Sequence, residues 1–369
     1  MIRLAAPDID DHDIAAVSDV LRSGHLVQGR EVASFEAELS ALLGSSHAVA
    51  VGSCTSALHL ALLALDIGPG DEVIVPAFSW PATANVVVCC GATPVFVDID
   101  EHSFAMDIAG LSRAISSSRR VHAIIPVHPF GAMADIRRVV TEARVATIPV
   151  IEDAACALGA SIEGRPAGRW GAMGCYSFHP RKAVTTGEGG VIVTDDPAQA
   201  RRLRMLRNHG QDPEAPSPDF VMAGLNQRMT DFQAALGRSQ LRKLPALLAG
   251  RRAMARRYDE LLAGSTLRTP VAIEPSAHVY QSYVVLLRRE RAGDSDAIIA
   301  EMRAAGVEAS IGTHHIPLLR YYRSTFGCAP GDFPVTDSVA ARAIALPLHS
   351  RLTPDDQARV TEVLRELAD

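Results

Sequence analysis

The chain has two lysines, Lys182 and Lys243, and they stand in very different company. Lys182 lies in Ser177-Phe178-His179-Pro180-Arg181-Lys182-Ala183-Val184-Thr185-Thr186-Gly187-Glu188-Gly189-Gly190. This loop of small and hydroxylated residues lies between two apolar runs that read as strands, Cys175 to Phe178 and Gly190 to Thr194. An unpaired ammonium in a buried turn is costly. Condensation with an aldehyde removes the charge and leaves an electrophile. A lysine reaching solvent from an ordinary loop is the other reading, and spacing alone does not separate the two. Lys243 sits in the helical stretch Gln240-Leu241-Arg242-Lys243-Leu244, a poor place for such an anchor.

A second candidate, Asp153, closes the strand-like run Pro149-Val150-Ile151-Glu152-Asp153, 29 positions before Lys182. An aldehyde cofactor with a pyridine ring needs its nitrogen protonated to accept electrons, and a buried carboxylate facing it keeps the proton there. The alternative is a helix cap, common for Asp where a strand turns into a helix. Gly52-Ser53-Cys54-Thr55-Ser56-Ala57-Leu58 runs from a strand into a helix. The free N–H groups and positive end of that helix suit a phosphate, with Thr55 adding a hydroxyl, although simple capping also explains such turns. Trp80, just beyond a strand end in Pro76-Ala77-Phe78-Ser79-Trp80-Pro81-Ala82-Thr83, either stacks on a flat ring or fills the core.

These residues need a frame that gathers them. Residues 31–43 are apolar at helical spacing and stop at Gly44. Strand candidates follow at Ala48 to Val51, Glu72 to Pro76, Thr93 to Val97, Ala123 to Val127 and Ile148 to Ile151, separated by stretches long enough for helices. That alternation predicts an α/β fold with a mainly parallel, buried sheet and ligands at the carboxyl ends of its strands. Composition changes near Leu244-Pro245, and Val279 to Val285 reads as a strand. We therefore expect a large cofactor-binding domain over 1–244, including the N-terminal segment, and a smaller C-terminal α+β domain over 245–369. Residues 211–219 form a Pro-rich loop, and no repeat is visible.

The net charge of −6 disfavours a nucleic-acid partner. The clusters Arg201/Arg202/Arg204/Arg207 and Arg251/Arg252/Arg256/Arg257 read as solvated helix faces. The six cysteines show no metal-ligand spacing, so no metal is expected. Cys89 and Cys90, in an apolar run, are expected to be buried thiols. No charge-free apolar stretch reaches the length of a membrane span and no signal core opens the chain. A cytoplasmic, reducing location is expected.

Taken together these segments resemble the DegT/DnrJ/EryC1/StrS family of sugar aminotransferases, which use pyridoxal 5'-phosphate on the fold-type I scaffold. The likeness runs from Gly29-Arg30-Glu31-Val32-Ala33-Ser34-Phe35-Glu36, through residues 68–76 (GPGDEVIVP) and 91–98 (GATPVFVD), to Leu346-Pro347-Leu348-His349. Its most specific parts are Ser177 to Gly190 and Asn226-Gln227-Arg228-Met229-Thr230-Asp231-Phe232-Gln233-Ala234-Ala235.

The resemblance implies that Lys182 is the Schiff-base lysine, Asp153 the partner of the pyridine nitrogen and Trp80 the stacking aromatic. Cys54, Thr55 and Ser177 match phosphate-binding positions, and Asn226 matches an asparagine that reaches the phosphate from the neighbouring subunit. A homodimer with shared active sites follows. Arg228 belongs to the same crossing loop, and with His179, His314 and His315 it is a candidate for substrate contact. Cys156 stands where many relatives carry Gln or His near the cofactor's 3′-oxygen; its thiol is a weaker hydrogen-bond partner. Many relatives also have His in place of Gln281, and a second His near Leu319.

The implied activity is ping-pong transamination, from glutamate or glutamine through pyridoxamine 5'-phosphate to a keto sugar nucleotide. A keto cyclitol acceptor and a sugar dehydratase on the same fold are the alternatives. The dehydratases, as the resemblance has it, replace the lysine with His.

Overall fold

Short apolar runs alternating with amphipathic helices can be buried only as a sheet covered on both faces. The computed structural model, which describes residues 1–118, 120–272, 274 and 277–369, has that arrangement. Seven strands form the central sheet of the large unit: β1 (His47–Val51), β2 (Glu72–Pro76), β3 (Thr93–Val97), β4 (Val121–Ile124), β5 (Ile151–Asp153), β6 (Met173–Ser177) and β7 (Gly190–Thr194). The ladders β1-β7-β6-β5 and β4-β2-β3 are joined by the parallel bridges Ile124↔Val150 and Val127↔Asp153. The sheet is mainly parallel, with β7 running against both neighbours. No helix lies between β6 and β7, and without a crossover a strand can only return antiparallel.

Side chains alternate between the faces. Val49, Val51, Val73 and Val75 pack against the helices Cys54–Ala64, Ala82–Cys89 and Pro197–Arg207. Ala48, Ala50 and Ile74 face the helices Arg30–Leu43, Ile108–Ser117 and Ile136–Val145. The second unit carries the antiparallel strands Tyr283–Leu286, Ala343–Leu346 and Ser310–Ile311, backed by the helices Ser295–Ala304 and Pro354–Ala368.

One helix, Asp231–Leu261, serves both units. Its Leu244 and Leu248 belong to the large-unit core, and Ala255 and Tyr258 to the second. Residues 244 and 245 lie within it, Pro245 included. We propose that the division into 1–244 and 245–369 describes two packing units sharing this helix. A mixed cluster closes the seam: Phe78, Phe104 and Phe130 of the large unit meet Val284, Leu286, Val339 and Ala343 of the second. Among the described residues no helix is long and apolar enough to cross a membrane.

Three local expectations fail. Cys89 is exposed and Cys90 half-buried, because they finish the helix Ala82–Cys89 whose buried face is Thr83, Ala84, Val86 and Val87. Arg207 and Arg251 are buried rather than solvated. Arg207 reaches Glu36 and the Ala50 carbonyl, and Arg251 is held by backbone carbonyls. The strand expected from Val279 starts only at Tyr283, since Tyr280 turns into the left-handed region at φ 51°.

Candidate active site

Strand direction and register bring the candidates to one edge of the sheet. β1, β2, β5 and β6 all end there, and antiparallel β7 begins there. Val51, Gly190 and Ser177 form one row across β1, β7 and β6. Gly190 must lack a side chain: a Cβ there would lie 2.4 Å from the Ser53 carbonyl and 2.6 Å from the Cys54 nitrogen. The turn into the helix Cys54–Ala64 is thereby seated on the sheet edge. Ser53 caps that helix, accepting from Ser56 N–H at 3.0 Å. First-turn N–H groups have no intrahelical partner, and those of Cys54 and Thr55 lie in that turn. Thr55 is exposed, and Cys54 and Ser177 are half-buried.

Asp153 ends β5 and is 6 % exposed. Thr83 Oγ1 donates to its Oδ2 at 2.9 Å, and Ala155 N–H donates to its Oδ1 at 3.2 Å. Burial pushes its pKa above the ordinary carboxylate range, opposed by Thr83, Ala155 and the charges of Lys182 and His128. Glu152 is oriented by separate partners. Its carboxylate accepts from Gly168, Trp170 and Gly171 N–H at 2.8, 2.5 and 2.7 Å, and His128 Nε2 lies 2.9 Å away. His128 Nδ1 accepts from Ala134 N–H at 3.1 Å, so Nε2 carries the proton to Glu152. This fully buried pair fixes the backbone that presents Asp153.

Lys182 follows β6, and its Nζ donates to Cys156 Sγ at 3.0 Å. Burial pulls the ammonium toward neutrality, but Cys156, Cys54 and the Asp153 carboxylate outweigh it and the pKa is raised. The loop around it is fixed internally: Lys182 N–H donates to the His179 carbonyl at 2.8 Å, and Thr185 Oγ1 to the Phe178 carbonyl at 2.9 Å. Lys243 is committed elsewhere, with Asp8 and Asp10 at 3.0 Å and Asp13 at 2.7 Å.

Not every candidate joins this cluster. Trp80 is 62 % exposed rather than a core residue, and its ring lies 5.2 Å from that of His314. The antiparallel pairing of Phe78–Ser79 with His314–His315 places His314 there. His315 faces the other way, buried against Asp337 at 3.0 Å, and burial lowers its pKa despite that partner. His179 lies 3.9 Å from Glu188 and points along the loop. Arg228 donates to the Asn208 side chain. Asn226 is exposed, bridged to Asn208 through backbone, while Gln227 alongside accepts from Gly52 N–H at 2.9 Å. Among the described residues no group of three or more His, Cys, Asp or Glu side chains is placed to hold a metal ion.

Two contributors escaped the sequence reading. Thr83 lies in the Trp80 segment and offers no motif of its own. Gln281 stood out only as a departure from relatives, yet it bonds both neighbours of Lys182.

A sheet of this order, with a lysine loop and a buried carboxylate at its carboxyl edge and a second unit against it, defines the fold-type I transferase class. The chain belongs to the DegT/DnrJ/EryC1/StrS aminotransferase family, whose model matches residues 7–365. It is 38 % identical over 357 residues to UDP-N-acetyl-3-dehydro-alpha-D-glucosamine 3-aminotransferase of Acidithiobacillus ferrooxidans, covering 96 % of this chain and 93 % of the relative. It is 36 % identical over 369 residues to GDP-perosamine synthase of Caulobacter vibrioides, covering 99 % and 98 %. Among solved structures, Spr1654 from Streptococcus pneumoniae superimposes with a TM-score of 0.95 in its PMP form and 0.94 in its PLP form. It is 30 % identical, and the match covers 100 % of this chain and 97 % of the PMP-form chain.

Proposed function

We propose that this aminotransferase carries pyridoxal 5'-phosphate on Lys182 and transfers the amino group of glutamate or glutamine to a keto sugar nucleotide. One observation carries the reading. Among the described residues Lys182 is the lysine without a carboxylate ion pair, and it follows the strand β6, whose parallel neighbour β5 ends in the buried Asp153. The names of the relatives, a nucleotide-sugar 3-aminotransferase and a GDP-perosamine synthase, support the acceptor class. The PLP and PMP forms of the pneumococcal structure support the cofactor.

The residues present fit that cofactor. The cradle that a Cβ at Gly190 would fill lies against the Ser53–Cys54 turn, where Cys54, Thr55 and Ser177 would take the phosphate with helix N–H groups. Asp153, buried and bonded by Thr83, would hold the ring nitrogen's proton. Trp80, exposed at the site's rim, would cover the ring face, and Cys156 would flank it. When bound, the cofactor supplies an aldehyde to take the amino group and a protonated ring to accept the electrons released at the donor's α-carbon. Lys182 Nζ would be the base that takes the proton from that α-carbon, and Cys156 Sγ, which accepts from it at 3.0 Å, would hold the amine in place. His314 beside Trp80, with His179 and Arg228, would meet the acceptor.

Asn226 enters the partner's phosphate site in a homodimer. The exposed apolar residues Phe220, Val221 and Leu225 of the same loop support a subunit surface there. The six cysteines are free thiols, which supports a reducing, cytoplasmic location. The test presents the pyridoxamine form to a panel of keto sugar nucleotides and keto cyclitols and follows return of the pyridoxal-form absorbance. Response to a keto sugar nucleotide is expected; response to cyclitols alone would reassign the acceptor.

A further inference from the structure

Gln281 is 8 % exposed, and both ends of its amide engage the loop that carries Lys182. Its Oε1 accepts from Ala183 N–H at 3.1 Å, and its Nε2 donates to the Arg181 carbonyl. The two bonds flank Lys182 on either side. Gln281 comes from the second unit, so the segment before Tyr283–Leu286 grips the large unit's lysine loop directly.

Three features hold the grip in place. Tyr280 sits at φ 51°, a conformation that costs free energy for a bulky residue and persists only where its surroundings fix it. Buried Arg251, on the shared helix, donates through Nη1 to the carbonyls of Tyr280 and Gln281 at 3.2 Å and of Leu348 at 3.3 Å. Gly131, at φ 94°, passes so close that a Cβ would lie 2.8 Å from Gln281 N and 3.0 Å from the Cys156 carbonyl. That glycine therefore seats Gln281 beside the residue whose sulfur meets Lys182 Nζ. An arrangement this constrained, ending on the two peptide groups around one lysine, goes beyond what core packing requires.

We propose that Gln281 is a positioning residue that fixes the backbone of Lys182 from both sides and sets the reach of its amine. The proposal rests on Lys182 being the cofactor anchor. The test uses the holoenzyme with Gln281→Met, close in shape but unable to form either bond, and Gln281→Glu, which keeps the Ala183 bond. Gln281→Met should lower kcat by about 10- to 100-fold, the scale of a small misplacement of a reacting group, with the donor's KM changed less than about threefold. Gln281→Glu puts a carboxylate near the lysine, favours the protonated form and should move the cofactor's absorbance titration to higher pH. In cofactor-free protein, hydrogen exchange of the Ala183 amide should speed up in Gln281→Met, while amides of β2 stay protected. Normal turnover in Gln281→Met, with or without faster exchange, overturns the positioning role. If Gln281→Met fails to fold, normal turnover in Gln281→Glu, whose carboxylate cannot donate to the Arg181 carbonyl, does so. Lys182→Ala runs in parallel. Activity surviving in that variant removes the anchor reading itself, whereas its loss beside a normal Gln281→Met removes only the positioning role.

Discussion

Asp153 and Glu152 are adjacent carboxylates, both buried, in opposite states of hydrogen-bond saturation. Glu152 is saturated by three backbone N–H groups and His128, so it has little capacity left for a ligand. Asp153 has one hydroxyl and one backbone donor, which leaves lone pairs for a ring N–H. Asp153→Asn keeps the shape and removes the charge. We expect it to retain cofactor while the single-turnover rate falls at least about 100-fold, the scale for losing one preorganised electrostatic partner. A near-normal rate would make Asp153 a structural residue only. The two lysines separate as sharply. Borohydride reduction should fix the cofactor on the peptide containing Lys182, and mass spectrometry reads the site. Label on Lys243, held by three aspartates, would refute the assignment.

At the scale of elements, distant side chains finish what local sequence leaves open. The helix Arg30–Leu43 starts at Gly29, which has no side chain to cap it. Asp231, at the head of the shared helix, supplies the cap by accepting from Gly29 N–H at 2.7 Å and Val32 N–H at 3.1 Å. The resemblance segments at 29–36 and 226–235 thus meet in one hydrogen-bonded joint. Asp231→Ala should destabilise the fold by about 1–2 kcal/mol, measured by denaturant unfolding; no change would show that water caps the helix equally well. Gly190→Ala strikes the helix seat instead. With Ser53 backbone 2.4 Å from the new Cβ, the turn must move, and cofactor affinity should fall about tenfold or more in equilibrium dialysis. An unaltered affinity would mean the phosphate is seated elsewhere.

The whole molecule is two units joined by a shared helix, an aromatic seam and a charge cluster. Glu101 of the large unit meets Arg342, Arg289 and Arg268 of the second. The Arg342 hydrogen bond first, against the cost of burial, then Arg289 and Arg268, hold the Glu101 pKa below its ordinary value of 4.5. A depressed carboxylate contributes stability above the unfolded pKa and loses it as pH falls through the folded one. Glu101→Gln should therefore lower Tm at pH 7, and the gap from the parent should close below about pH 4. A gap independent of pH would assign the loss to packing. The proposed shared site has its own test: Lys182→Ala and Asn226→Asp, each expected to be inactive alone, are unfolded and refolded together. If Asn226 acts across the dimer, each mixed dimer has one intact site, and roughly a quarter of parent activity returns. No recovery, with mixed dimers confirmed by tags, would remove the shared-site arrangement.

The sequence by itself determined the layered α/β class and all seven strands of the large unit's central sheet to within a few residues, and it singled out Lys182 and Asp153 as the candidates for chemistry. Buried strands and strand-end carboxylates leave local signatures, and Lys182 is rare in kind. Direction and partnership were not legible there. That β7 runs antiparallel, that Gly190 seats a helix start 136 positions earlier, and that Asp231 caps another helix depend on which surfaces meet. The same holds for Gln281, whose neighbours in sequence suggest a continuing strand while a left-handed Tyr280 and a buried Arg251 turn its amide onto the Lys182 loop. Exposure was the least legible property of all. Trp80 and Cys89 face outward and Arg207 and Arg251 inward because burial is decided by the packing of elements far apart in the chain, and a residue's own polarity biases that outcome without fixing it.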